Sequence, residues 1–197
     1  MKYLDTFDSG KYYHIMNHAV GNENLFRTAE NYRYFLEKYQ FYTSSVWDTY
    51  AYCLMPNHFH LLVRVHDTDT ITTHTRYKGD EHKVVMQCLS NWLNSYAKAY
   101  NKMFERRGAL FLDFTKRIEI NTETYFTTAI NYIHQNPVHH GFCRSPFDWT
   151  HSSYHSFLSE KQTRLKRTEV LEWFGGREQF RQFHQSNVPV INMDWEI

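Results

Sequence analysis

The amino-acid sequence predicts an α+β fold: a ferredoxin-like (RRM-like) antiparallel sheet with helices on one face, plus a C-terminal helical extension. Three observations predict it. Segments 12–20, 46–55, 57–65 and 110–120 have strand-like patterning, the clearest of it polar/apolar alternation. Segments 28–43 and 82–104 repeat their apolar residues at helical spacing and fall between those strands in βαββαβ order. The chain has 197 residues with 42% hydrophobic and 18% aromatic content, enough for a packed domain with an appendage and too apolar for a disordered chain. The boundary is set at 1–158 for the main domain and 159–197 for the extension.

Each element has its own signal. "YYHIMNHAV" is strand-like and "GNEN" after it is a turn. Thr28 is positioned to cap a helix whose inward face carries Tyr32, Phe35, Leu36 and Tyr39. The next two strands are separated only by Pro56-Asn57, which makes them a hairpin or one bent strand. Residues 66–81 are polar and Thr-rich and read as a loop, long for its place. Val85, Leu89, Trp92, Tyr96, Tyr100 and Met103 keep a helical period until "RRGAL" ends it. "LFLDFTKRIEI" alternates like a strand. Asn121 or Thr122 caps the following helix, which should stop near Asn136 because Pro137 disfavours helical geometry in the residue before it. Residues 167–184 read as one amphipathic helix, and the tail from Ser186 as irregular.

Composition excludes several classes. No apolar run is long enough to span a membrane, and the N-terminus lacks a signal peptide's apolar core. Cys53, Cys88 and Cys143 are three in number and far apart, so free thiols in a reducing cytoplasm are expected. The net charge of +1 neither demands nor excludes a nucleic-acid partner.

The stretch "CLMPNHFHLLVRV" poses a chemical question. Alternation puts Phe59, Leu61, Val63 and Val65 on one face of a strand and His58, His60, Leu62 and Arg64 on the other. The apolar set belongs against the helices. The two imidazoles then share the open face, with Cβ atoms roughly 7 Å apart, and can converge on one cation. Two ordinary hydrogen-bonded histidines fit the same pattern. In "TYFTTAINYIHQNPVHHGF", Tyr132 and Asn136 are four apart and share one helix face. An amide oxygen beside two imidazoles makes a mixed nitrogen/oxygen site suited to Mg²⁺ or Mn²⁺ rather than structural zinc. A core tyrosine and a helix-capping asparagine also account for those two residues, and taken alone they are the simpler reading.

The ordered set "MPNHFHLLV", "LFLDFTKRIEINTETYFTTAINYIHQNPVHHGF" and "DWTHSSYHSF" resembles the single-tyrosine HUH transposases, and within them the REP-associated tyrosine transposases, relatives of the transposases of the smallest insertion sequences. The resemblance runs from about Tyr12 to Phe157. It implies a ferredoxin-like catalytic domain, a divalent metal held by His58, His60 and Asn136, and Tyr132 as nucleophile. It implies cleavage of single-stranded DNA beside a hairpin, through a 5′-phosphotyrosine that leaves a free 3′-OH, and then strand transfer. Arg106, Arg107, Lys116 and Arg117 are candidate phosphate contacts, with Arg164, Lys166 and Arg167 a second basic group. The basic excess is modest for an enzyme acting on DNA. A cytoplasmic protein is expected, with monomer and homodimer both open. Two other classes compete: a non-catalytic nucleic-acid-binding module on an RRM-like sheet, and a metal-dependent hydrolase without a covalent step, using others of the histidines such as His14 and His18.

Overall fold

A computed structural model describes residues 4–185. Its elements are β1 (Tyr12–His18), α1 (Ala29–Thr43), β2 (Trp47–Leu54), β3 (His58–Val65), α2 (Thr68–Thr72), α3 (Glu81–Met103), β4 (Lys116–Ile120), α4 (Glu123–His139), α5 (Tyr154–Leu158), α6 (Arg167–Trp173) and α7 (Arg177–Gln185). The strands form one sheet in the order β2-β3-β1-β4, every neighbouring pair antiparallel. With α2 set aside as an insertion, β1 to β4 with α1 and α3 make the expected βαββαβ unit.

Strand alternation divides the molecule into two cores. On one face Phe59, Leu61, Val63 and Val65 of β3, with Tyr13 and Ile15 of β1, pack against Phe35 and Tyr39 of α1 and Trp92 and Tyr96 of α3. Removing one large side chain here, such as Trp92, would cost about 3–5 kcal/mol. On the other face Leu62, Met16 and Cys53 meet Ala129, Tyr132 and Ile133 of α4, and Val170 and Phe180 of α6 and α7 belong to the same cluster. This face, expected to be open, is covered by α4. A β-bulge between Thr49 and Ala51 lets consecutive Tyr50 and Ala51 both join this second core, which strict alternation forbids.

Several boundaries differ from the sequence reading. Residues 66–81 contain the short helix α2. The strand at 110–120 forms regular pairing only over Lys116–Ile120. The part before it turns aside, where Leu112 N–H donates to the His18 carbonyl and Phe111 bridges Ala19. Thr122 caps α4, which does not stop at Asn136 but passes through Pro137 to His139. Pro137 lies in the last turn, where its missing N–H costs only one bond, and the His140 amide donates to the Asn136 carbonyl to close the turn. The segment 167–184 is two helices, because Gly175 and Gly176 take φ values of +79° and +120° that break the run. The tail from Ser186 lies outside the described residues.

Both outer strands have company. Beside β2, Leu54 N–H donates to the His151 carbonyl, Ser153 N–H to Tyr52 and Lys166 N–H to Thr49. Beside β4, Asp5 N–H donates to the Arg117 carbonyl and the Asp5 carboxylate accepts from Glu119 N–H.

Candidate functional site

The register of β1 against β3 gathers four histidines on the sheet face beneath α4. His18 lies opposite His58 and Met16 opposite His60, so His14, two residues on, stands diagonal to His60. The His18 and His58 rings stack with centroids 5.6 Å apart and planes 9° from parallel. His14 Nε2 is 2.9 Å from His60 Nδ1. From above, α4 directs Tyr132 and Asn136 at this floor, since residues four apart share a helix face. The Tyr132 ring stands 5.6 Å from that of His60 and 6.1 Å from that of His14. At the helix end His140 closes on His58, with ring centroids 5.0 Å apart, and the His139 ring lies 5.8 Å from Tyr132.

The structure therefore brings His58, His60, Asn136 and Tyr132 together, on the sheet face opposite α1 and α3, which α4 covers rather than leaving open. His58, His60, Asn136 and Tyr132 are all buried. Burial pushes His58 down to about 4 and His14 to about 3, and together with the neighbouring imidazoles it holds His60 well below the usual histidine range. The rings are neutral at pH 7, the state in which an imidazole can donate a lone pair.

A neutral His58 can donate to only one of two amide oxygens, Asn57 Oδ1 at 2.9 Å from Nδ1 or Asn136 Oδ1 at 2.8 Å from Nε2; donation to Asn57 leaves the lone pair on Nε2. That lone pair faces Asn136 Oδ1 at 2.8 Å, two acceptors side by side, while Asn136 Nδ2 is buried without a hydrogen-bond partner. An amide turned over would instead donate Nδ2–H to His58. With Oδ1 inward, the pair has about the spacing of neighbouring ligands around one small divalent ion. For His60 to present Nε2 in the same way, its Nδ1–H must donate to His14 Nε2, so His14 orients His60 as Asn57 orients His58. Among the described residues no three His, Cys, Asp or Glu side chains are gathered as a metal site. The donor set that fits a cation is mixed, two imidazoles and an amide oxygen, and it suits a hard divalent ion with room for further ligands.

The basic candidates separate. Cys53, His60, Met16 and Lys116 form one row across the four strands, so Lys116 shares the site's face, about 10 Å from His60 at the usual strand spacing. Arg107 is exposed in the α3–β4 loop. Arg106 and Arg117 depart from expectation. Arg106 donates to the Ala109 carbonyl at 2.6 Å and to Asn101 Oδ1 at 3.0 Å and pairs with Glu23, so it ties its own loop. Arg117 lies opposite Ile15, on the far face of the sheet, with its guanidinium over the Phe7 ring and bonded to the Asp5 carbonyl. A long side chain at the sheet edge folds back over apolar surface and satisfies its donors on backbone. In the second basic group, Lys166 pairs with Asp48 and Glu169, and Arg167 donates to three backbone carbonyls.

Sequence reasoning gave no part in this site to Asn57, His139 and His140, and named His14 and His18 only as a pair on their own strand. The signal for the pair was present, since both sit at even spacing on β1. Their meeting with His58 and His60 needed the strand register.

No family model matches the chain. A Haemophilus influenzae protein named "Putative REP-associated tyrosine transposase" is 27% identical over 139 residues, covering 67% of this chain and 68% of that protein. A solved structure of a REP-associated tyrosine transposase bound to a REP hairpin superposes with a TM-score of 0.62 at 15% identity, over 81% of this chain and 86% of that one. The chain thus resembles the REP-associated tyrosine transposases in sequence and shares their fold. The three cysteines are free, and no helix among the described residues is long and apolar enough to cross a membrane.

Proposed function

We propose that this protein is a cytoplasmic transposase-like enzyme that nicks and rejoins single-stranded DNA next to hairpins. The observation that carries the reading is the convergence of Tyr132 and Asn136 from one helix on His58 and His60 from one strand. A pure binding module on the same sheet has no use for that set. The likeness to a transposase solved with a REP hairpin supports the substrate class.

Tyr132 acts as nucleophile. Its hydroxyl oxygen forms a bond to the scissile phosphorus as the bond to the 3′ oxygen breaks, leaving a 5′-phosphotyrosine and a free 3′-OH. The phosphodiester count is unchanged, so the reverse step joins a strand without an added energy source. A divalent cation, Mg²⁺ or Mn²⁺, held by His58, His60 and Asn136 would offset the negative charge that develops on the phosphate. Asn57 and His14 hold the two imidazoles in the required tautomers. Lys116, which shares the site's face, and Arg107, exposed in the α3–β4 loop, are the residues proposed to meet DNA phosphates. His58 and Asn136 meet within one chain, so assembling the site does not require a homodimer.

The test uses oligonucleotides from palindromic repeats beside the protein's own gene, incubated with Mg²⁺ or Mn²⁺ and resolved under denaturing conditions. Wild type forms a covalent protein–DNA adduct. Tyr132→Phe abolishes it while DNA binding survives, because one oxygen is removed. Tyr125→Phe keeps it: Tyr125 is two turns from Tyr132 and about 16 Å along the axis from Asn136, beyond a phenol's reach. Adduct from Tyr132→Phe would mean another nucleophile. DNA binding with no adduct from wild type would leave the binding-module reading in possession.

A further inference from the structure

Behind the site, on the opposite side of α4, lies a second chain of buried polar groups that the proposed chemistry does not use. Ser153, His134 and His184 are each no more than 2% exposed. Their hydrogen bonds have one consistent direction, fixed by backbone at the α7 end. The Phe180 carbonyl can only accept, so His184 Nδ1–H donates to it at 2.8 Å and His184 Nε2 carries a lone pair. His134 Nδ1–H must then donate to that lone pair at 2.9 Å, which leaves His134 Nε2 as an acceptor. The Ser153 hydroxyl donates to it at 2.7 Å, in preference to the Tyr52 carbonyl at 3.2 Å, because His134 Nε2 then has no proton of its own, and it accepts from the Tyr52 N–H at 2.9 Å. The relay thus runs from β2 through Ser153, across α4, and into α7. Gln135, next in α4, adds a donor bond to the His184 carbonyl at 2.6 Å.

Apolar side chains of similar size would fill this space at less desolvation cost, since Phe180, Tyr154 and Phe157 already surround His134. A directional polar chain adds what apolar packing lacks: one register of α4 against the elements behind it, because a small slide or rotation leaves buried groups unpaired. His134 lies two residues from both Tyr132 and Asn136. The geometry points to α7 as a latch, in which His184 and Ser153 act through His134 as positioning residues that hold α4 in the register presenting Tyr132 and Asn136 to His58 and His60. On this view the C-terminal extension is part of the catalytic apparatus. The functional half of the inference rests on the reading proposed above; the structural half does not.

The test compares full-length wild type with His184→Phe, which keeps the volume but removes the acceptor, His184→Gln, which restores an acceptor, and Ser153→Ala, which opens the other end. Hydrogen exchange should rise about tenfold in the amides of 130–139 in His184→Phe and Ser153→Ala, with β1 and β3 unchanged. Mn²⁺ affinity, read by electron paramagnetic resonance, should weaken about fivefold or more, and adduct formation should slow about tenfold at unchanged DNA affinity. His184→Gln should recover most of each effect. If His184→Phe fails to fold, Ser153→Ala decides. Unchanged exchange in α4, an equal rise throughout the sheet, or a Gln variant no better than Phe overturns the latch. If wild type forms no adduct but α4 still responds, the latch stands and the enzymatic reading falls.

Discussion

Helix α4 carries polar groups on two sides, and the two sides are built differently. Toward α7, His134 joins a relay in which each donor meets an acceptor. Toward the sheet, His58 faces the amide oxygens of both Asn57 and Asn136 and, when neutral, can donate to only one of them, while Asn136 Nδ2 is left unpaired. Buried polar groups in folded proteins are normally satisfied, and the Asn136 amide would be if turned over; the orientation with Oδ1 toward His58 is the one that suits the proposed cation. The satisfied cluster is the proposed latch; the unsatisfied one is where the proposed cation would bind.

Substitutions should separate the two sides. The largest effect expected is from His58→Ala or Asn136→Ala, which should slow adduct formation at least about 100-fold while thermal stability changes by less than about 1 kcal/mol. A large loss of stability in step with activity would erase the contrast. His134→Ala should do the reverse, costing about 2–4 kcal/mol in a denaturant titration, because it leaves a cavity and strands His184 and Ser153. A variant as stable as wild type would show that the relay holds nothing.

The third expectation concerns pH. Burial lowers His184 from 6.5 to about 4, so the folded ring stays neutral in a window where the unfolded one binds a proton. Stability contributed by this group is therefore full above pH 6.5 and declines as pH falls toward 4, by about 3 kcal/mol at most. His184→Gln should flatten the melting temperature against pH over that window. An identical profile would place the titration elsewhere. The smallest effects concern the basic residues. Lys116→Ala and Arg107→Ala should each reduce the salt dependence of DNA binding by about one unit of slope, whereas Arg106→Ala and Arg117→Ala should leave it unchanged and cost about 1 kcal/mol of stability. A slope change in Arg117→Ala would mean that its side chain leaves the Phe7 ring on binding.

What the sequence made legible was periodic or local. Alternation sorted His58 and His60 from Phe59 and Leu61, and the four-residue interval put Tyr132 and Asn136 on one helix face. Pairings between distant segments were not legible. His14 reaches His60 across 46 residues and His134 reaches His184 across 50, each through a register that no local pattern encodes. Arg117 and Lys116 look alike as neighbours in a basic run, yet alternation sends them to opposite faces. Pro137 argued for an early helix end, but the cost of one lost bond in a last turn is small enough for packing to override.

The chain segments lying beside β2 and β4 have a consequence for self-association. An uncovered outer strand is a template on which a second molecule can continue the sheet. Here the backbone groups of Thr49, Tyr52 and Leu54 on one rim, and of Arg117 and Glu119 on the other, are already engaged by the chain itself. Two copies cannot merge their sheets through these positions without first peeling those segments away. Any pairing of copies would have to be made by side chains on helices and loops, and the same closed rims guard the fold against edge-to-edge aggregation.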